Sequence, residues 1–230
     1  MIRKLMNKYI SGLKGNEYQI DERIPQSYLL RLGFNSIIRK LRGLLSGIHY
    51  ESVPFIGRGV TVKCSRKFFA GKGLSIGNHS YIDALSVEGI ITGHNVSIGR
   101  NTIIECTGNL QYLGKGLKVG NNVGLGTDNF YGCAGGVEIG HDTIIGNFVS
   151  FHSENHNFEN LQIPVRLQGV THKGIKIGNN CWIGAKVTIL DGAILGNDSI
   201  VAAGSVLKAG IYPERGIYGG IPASLIKIRD

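Results

Sequence analysis

Residues 177–212 read as consecutive blocks of six: IGNNCW (177–182), IGAKVT (183–188), ILDGAI (189–194), LGNDSI (195–200), VAAGSV (201–206) and LKAGIY (207–212). Each block opens on an aliphatic residue: Ile177, Ile183, Ile189, Leu195, Val201 and Leu207. The fifth residue is small or β-branched: Cys181, Val187, Ala193, Ser199, Ser205 and Ile211. A period of six matches neither the 3.6 of a helix nor the 2 of a half-buried strand. It matches a solenoid in which each block supplies one short strand and one turn and stacks on the block three further along. The first residue is then expected inside, with the fifth filling the narrow interior. Gly, Asn and Asp at the second to fourth positions suit turns that visit left-handed backbone conformations.

Upstream the same pattern recurs with shifts of phase. IGNHSY starts at Ile76, with Ile82 in phase. IGRNTI starts at Ile98, with Ile104 and Leu110 in phase. VGNNVG starts at Val119, with Leu125 in phase, and IGHDTI starts at Ile139, with Ile145 and Phe151 in phase. Val60, Val62 and Leu74 fit more loosely. Three blocks make a triangular turn of about 18 residues, so residues 50–212 are expected to wind into roughly eight or nine coils. The period breaks in one conspicuous place, His152 to Lys173, HSENHNFENLQIPVRLQGVTHK. An excursion from a repeat is expected to be an exposed loop, and such loops carry function.

Composition agrees with a repeat protein. The chain has 230 residues with 35 Gly, about twice the usual share, and the glycines fall in phase with the aliphatics. Cys64, Cys106, Cys133 and Cys181 lack CxxC spacing, and no secretory signal precedes them, so small buried thiols in a reducing compartment are expected. No apolar run has the length of a membrane span. The formal charge of +9 is uneven, because residues 1–47 hold nine Lys/Arg against three Asp/Glu. Aromatics are not interleaved with the basic residues, which argues against nucleic acid; an anionic membrane surface or a phosphate-bearing ligand fits better.

Three segments follow: a basic, partly helical segment 1–47, the solenoid 48–212 with its excursion at 152–173, and a cap or tail 213–230. Gln26 to Leu45 predicts a helix. Pro25 stands at its start, Gly47 lies beyond its end, and its apolar face is Leu29, Leu30, Leu32, Ile37, Ile38, Leu41, Leu44 and Leu45. That face is expected to cap the solenoid or meet a neighbouring subunit, with peripheral membrane attachment compatible with either. The tail ASLIKIRD is expected to cover the strand edges of the last coil.

His152, His156 and His172 cluster at the excursion. A loop imidazole titrates near neutral pH and suits a general base, whereas exposed loop histidines without a role would look the same. His79 and His141 occupy turn positions and are expected to be ordinary exposed side chains.

The repeat resembles that of the hexapeptide-repeat acyltransferases, whose fold is a left-handed parallel β-helix. The resemblance runs from about residue 50 to residue 229. It is strongest where GGVEIGHDTIIG, SENHNF, IPVRLQG, KGIKIGNNCWIGAKVTIL, AAGSV and GGIPASLIKIR follow one another in the family's order. Within the family it looks most like the sugar and polysaccharide O-acetyltransferases. The resemblance implies acetyl transfer from acetyl-CoA to a sugar or glycan hydroxyl, without a metal, in a cytoplasmic homotrimer or one at the inner face of the membrane.

It further implies that His156, in SENHNF, is the general base, with Glu154 to orient it and His152 as the fallback. CoA is expected along Gly184, Ala185, Ala202 and Ala203, with its phosphates on Lys208 and Lys227. The chain has Lys208–Ala209 where the family often has Thr-Lys, and Ser224 where it often has Lys or Arg, which could move those contacts to Lys227 or Arg229. Asn129, Arg166 and Trp182 are expected at the acceptor. Three other readings stay open: an N-acetyltransferase, a zinc-dependent γ-type carbonic anhydrase using His152, His156 and His172 or an earlier His, and a non-catalytic β-helical assembly module.

Overall fold

The coil is built by parallel backbone ladders that step by 20 or 22 residues in the early coils and by 18 in the regular stretch. In the regular stretch Ile177 pairs with Leu195, Ile183 with Val201 and Ile189 with Leu207, always in parallel. The computed structural model describes residues 2–14 and 17–230. Its strands are two or three residues long over most of the solenoid and stack into three faces. The first face has eight strands, from His49–Tyr50 to Gly210–Tyr212. The third has seven, from Thr61–Lys63 to Val206–Leu207. The second is a three-stranded and a five-stranded sheet, linked through the bridges Ser97–Gly124 and Gly124–Ile144. Each coil passes from first to second to third face, so three corner columns run along the solenoid.

The interior is three aliphatic columns, one per face. On the third face Val62, Ile82, Ile104, Tyr131, Phe151, Ile189 and Leu207 lie in register. On the second, Ile56, Ile76 and Ile98 continue to Ile145, Ile183, Val201 and Tyr218, with Leu125 filling the interval. All but Val62 are buried, and each buried side chain of this size stabilises by about 1.5–3 kcal/mol. The expected first-position residues are therefore inside. The fifth-position residues Cys181, Val187, Ala193, Ser199 and Ser205 are buried as well. Buried hydroxyls there donate to corner carbonyls of the next coil: Ser80 to Gly99 at 2.9 Å and Thr143 to Gly178 at 3.1 Å. Turn residues Asn122, Asp142, Asn180 and Asp198 take positive φ, and Asn122 and Asn180 donate across the coil step to Asp142 and Asp198.

The structure corrects the reading of several residues. Ile211, expected inside, is 77% exposed, because Leu195 pairs with Tyr212 one residue short of the regular step. Tyr212 takes the inward place and meets Tyr218 edge-on at 5.1 Å. Leu110 is 88% exposed, because a second excursion interrupts the phase: Ile90 pairs with Leu117, nine residues beyond the regular step. The coil thus carries two long excursions, and both leave it at the third–first corner. Cys106, Cys133 and Cys181 are buried thiols, but Cys64 is exposed, on a left-handed residue where the chain turns out of the third face.

Helix α1 (Ile2–Lys14) and helix α2 (Gln26–Leu44) precede the coils. Arg39 ties α2 to the solenoid by donating to the Phe55 carbonyl, the Ser75 hydroxyl and the Ile76 carbonyl. The apolar face expected to pack is largely open in the single chain. Leu29 is buried, while Leu30, Ile37, Leu41, Leu44 and Leu45 face solvent. At the other end Gly216–Gly220 adds a further rung beside Ile200–Val201, and Ala223–Ile228 folds back antiparallel on it.

The slip at residue 212 has a direct consequence. Tyr212→Ala should cost about 3 kcal/mol or more of unfolding free energy by denaturant titration, as for other buried aromatics. Ile211→Ser should stay within about 0.5 kcal/mol, as exposed positions do.

Candidate functional site

The second excursion begins and ends on buried polar anchors. Ser153 is buried; its hydroxyl donates to the Gly132 carbonyl at 2.7 Å and accepts from Gly135 N–H at 2.9 Å. At the return, Asp191 accepts from Lys173 N–H at 2.9 and 3.1 Å and from Gly174 N–H at 2.7 Å. Three backbone donor contacts on one nearly buried carboxylate fix where the loop re-enters the coil. Neither anchor was singled out from sequence; the Asp191–Gly192 dipeptide inside a hexad is the signal that could have found one.

Between the anchors, Asn155–His156 and Val170–Thr171 form an antiparallel ribbon, with His156 opposite Val170. Residues two apart on a strand share a face, so Glu154 and His156 lie on the same side. The Glu154 carboxylate does not orient His156. It meets Nε2 of His172 at 2.7 Å, across the ribbon. His156 is solvent-exposed beside that pair. His152 lies on the third face against the Phe130 ring at 5.5 Å, and burial pushes its imidazole below the ordinary histidine value. The first excursion comes alongside, with Gly108 next to the Glu154 carboxylate.

A cavity of about 250 Å³ at the base of the ribbon is lined by Glu154, Asn155, Lys173, Asp191 and Lys208, among others. Lys208 therefore stands at the third–first corner, with the excursion. The small residues expected to line CoA stand at a different one. Gly184 and Ala185 follow strand Trp182–Ile183 and stack on Ala202 and Ala203 at the second–third corner. A Cβ on Gly184 would come within 2.5 Å of Ala203 N, so only glycine allows this approach. Ala185 and Ala203 are exposed and present only methyl groups, leaving a shallow edge with accessible backbone. Lys227 is exposed on the last strand of the second face, opposite Ile217. Arg229 is already engaged, donating to the Asp198 carbonyl at 2.6 Å.

The expected acceptor set is not assembled in one chain. Asn129 is 2% exposed and inside the coil. Its amide N–H donates to the Leu125 and Gly146 carbonyls at 2.7 and 2.9 Å, and its carbonyl accepts from Val149 N–H at 2.8 Å. Those bonds close a corner, so the acceptor role expected of Asn129 is replaced by a structural one. Trp182 projects from the second face beside Ile144 and Ile200, and Arg166 is exposed on a short turn of the excursion. His79, His94 and His141 are turn residues, and Nδ1 of His94 and of His141 each accepts a backbone N–H. Among the described residues, no three His, Cys, Asp or Glu side chains gather as a metal site.

Residues 174–209 match the family model for the bacterial transferase hexapeptide (six repeats). The chain is 30% identical over 163 residues to a probable acetyltransferase of Mycobacterium tuberculosis, covering 70% of this chain and 50% of that one. It is 35% identical over 98 residues to WbbJ of Escherichia coli, named as an O-acetyl transferase of lipopolysaccharide biosynthesis, covering 40% and 50%. The chain thus spans about half the length of these curated relatives. Among solved structures, AntD, an N-acyltransferase from Bacillus cereus in complex with dTDP and 3-hydroxybutyryl-CoA, superposes with a TM-score of 0.54 over 92% of both chains at 20% identity. At that identity the likeness concerns the fold, a left-handed parallel β-helix.

Replacing Asn129 separates structural from recognition roles. Asn129→Ala strands the buried Val149 N–H and the Gly146 carbonyl, while the Leu125 carbonyl keeps the Tyr131 hydroxyl, and each unpaired group costs about 1–3 kcal/mol. A fall of at least about 2 kcal/mol in unfolding free energy is expected by chemical denaturation; an unchanged midpoint with altered acceptor KM would restore the recognition role.

Proposed function

We propose that this chain, a member of the hexapeptide-repeat acyltransferase family, moves an acetyl group from acetyl-CoA to a hydroxyl of a sugar or glycan precursor. The observation that carries the reading is the pairing of a shallow Gly184–Ala185/Ala202–Ala203 edge with a histidine-bearing excursion, in a chain resembling named acetyltransferases. Small corner residues let an extended pantetheine arm lie against backbone, whose N–H and C=O groups pair with its amides. Lys227, near the end of that edge, offers a cation to the coenzyme phosphates. AntD was solved with dTDP, which supports an activated sugar as the acceptor class.

In the reaction, His156 takes the proton of the acceptor hydroxyl as its oxygen attacks the thioester carbonyl. The new C–O bond forms, the C–S bond breaks, and the proton passes to the departing sulfur. Backbone N–H groups would stabilise the oxyanion between these steps. The Glu154 carboxylate and His172 Nε2 meet at 2.7 Å on the ribbon that also carries His156. That contact holds Glu154 away from the base.

The excursion and the coenzyme edge occupy different corners of one chain, which supports an arrangement in which a ligand on the edge of one copy meets the His156 of another. That supports a homotrimer with active sites between copies, the exposed Ile144 and Trp182 and the half-buried Ile200 and Ile217 forming a column available for contact. The open apolar side of α2 and the cavity of about 390 Å³ lined by Tyr9, Ile37, Leu41, Leu44, Val53 and Phe55 support peripheral attachment of a cytoplasmic enzyme at the membrane face. No helix among the described residues is long and apolar enough to cross a membrane.

The test is CoA release, followed by thiol detection, against a panel of sugars and nucleotide sugars. His156→Ala should lower turnover by about 10²–10⁴ with an unchanged melting temperature, the range for loss of a general base. Glu154→Gln and His172→Gln should cost less. Full activity of the His156 variant, with loss in the His172 variant, would move the base to the Glu154–His172 pair.

A further inference from the structure

Where α2 crosses the early coils, four arginines converge on one cavity. It has a volume of about 550 Å³ and is lined by Arg39 and Arg42 from the helix and Arg58 and Arg100 from the coil corners, with Asn78 and Thr127 among its polar wall. Among the described residues, no carboxylate lines it and no ion pair engages any of the four guanidinium groups. Arg39 has a structural duty in its three hydrogen bonds to the solenoid, yet its Nε is buried with no partner among the described residues. Burial, together with the neighbouring Arg42, presses the Arg39 guanidinium below its ordinary value. Of the four, only Arg39 bonds the helix to the solenoid, and that duty does not account for Arg42, Arg58 and Arg100 around the same hollow. Arg39 and Arg42 are half-buried and Arg58 and Arg100 stand exposed at the rim, so an anion entering the hollow meets four like charges and offsets their repulsion. Guanidinium forks match the oxygens of a phosphate bidentately, and Asn78 and Thr127 can add hydrogen bonds.

The position of the cavity suggests what carries the phosphate. Arg58 and Arg100 belong to the second–third corner, the column that ends in the proposed coenzyme edge. Along it Gly57 packs on Asn78, Gly77 on Arg100, Gly99 on Gly126 and Thr127, Gly126 on Gly146, Gly146 on Ala185 and Gly184 on Ala203. Arg100 is three steps from Ala185, roughly 14 Å at the spacing of neighbouring strands. An anion held by the arginines and a coenzyme arm on the alanines would lie along one edge with room for a sugar and the thioester end between them.

We infer that the cavity beneath α2 binds the diphosphate of the acceptor, a sugar carried on a diphosphate leaving group, and sets the sugar along the edge toward the coenzyme. This rests on the acetyltransfer reading for the identity of the neighbouring ligand, but the anion site itself does not. The same chemistry is offered by a soluble nucleoside diphosphate sugar and by a lipid-linked diphosphate sugar.

The full chain should bind inorganic pyrophosphate and uridine diphosphate in calorimetric titrations, more weakly as salt is raised. Arg58→Gln/Arg100→Gln, which leaves the Arg39 anchor intact, should weaken both by at least tenfold while acetyl-CoA binding and melting temperature stay unchanged. Farnesyl diphosphate in phosphatidylcholine vesicles, compared with uridine diphosphate in buffer, separates the sources: tighter capture of the first assigns a lipid-linked acceptor, tighter capture of the second a nucleotide sugar. Absence of pyrophosphate binding, or binding that the double variant leaves unchanged, overturns the inference. So does a parallel loss of acetyl-CoA affinity, which would assign the arginines to the coenzyme. Pyrophosphate binding lost in the double variant, by a protein that never binds acetyl-CoA, would keep the anion site and overturn the acetyltransfer reading instead.

Discussion

Every coil must place its backbone directly over the backbone of the next, and the corners are where this is hardest. Along the second–third corner the chain passes so close to its neighbour that a single Cβ at Gly146 or Gly184 would touch main-chain atoms of the following coil. The fold depends on that approach: it lets the parallel ladders on three faces close, at an 18-residue step in the regular stretch, and stack the aliphatic columns in register. It also leaves an edge of bare backbone and methyl groups at Ala185 and Ala203, where an extended ligand can reach peptide groups. One steric constraint thus makes the core and prepares the proposed coenzyme edge.

Where the coil is regular, sequence and structure coincide because one residue type meets one environment. Ile177, Ile183, Ile189, Leu195, Val201 and Leu207 are aliphatic at the period, and all are buried. Legibility ends where the step changes length. Ile211 has a suitable side chain at the fifth position, yet the preceding turn is one residue short and Tyr212 goes in. Leu110 is in phase by count, but the coil departs at residue 107 and returns only at Leu117. Hydrophobicity says which residues can be buried; it does not say how many residues a corner uses.

The candidate site was less legible, because it depends on which corner each residue occupies. The small residues 184–185 and 202–203 were readable, as was the excursion. Their separation onto different corners was not, since the corner a residue occupies depends on the residue count of the whole coil rather than on anything local. Asn129 looked polar and available but closes an interior corner with its amide. Glu154, two residues from His156, bonds instead to a histidine 18 positions along the chain. The four arginines beneath α2 are dispersed from residue 39 to residue 100, and only the crossing of the helix over the coils gathers them.

The central claim is that the bare corner of one copy and the histidine of another make the site. A crystal structure of the full protein with acetyl-CoA tests it most directly. The expected result is a trimer with the pantetheine arm along Ala185 and Ala203 and its thioester beside His156 of the neighbouring copy. A coenzyme bound on another face, or one whose thioester meets His156 of the chain that holds its arm, would contradict it.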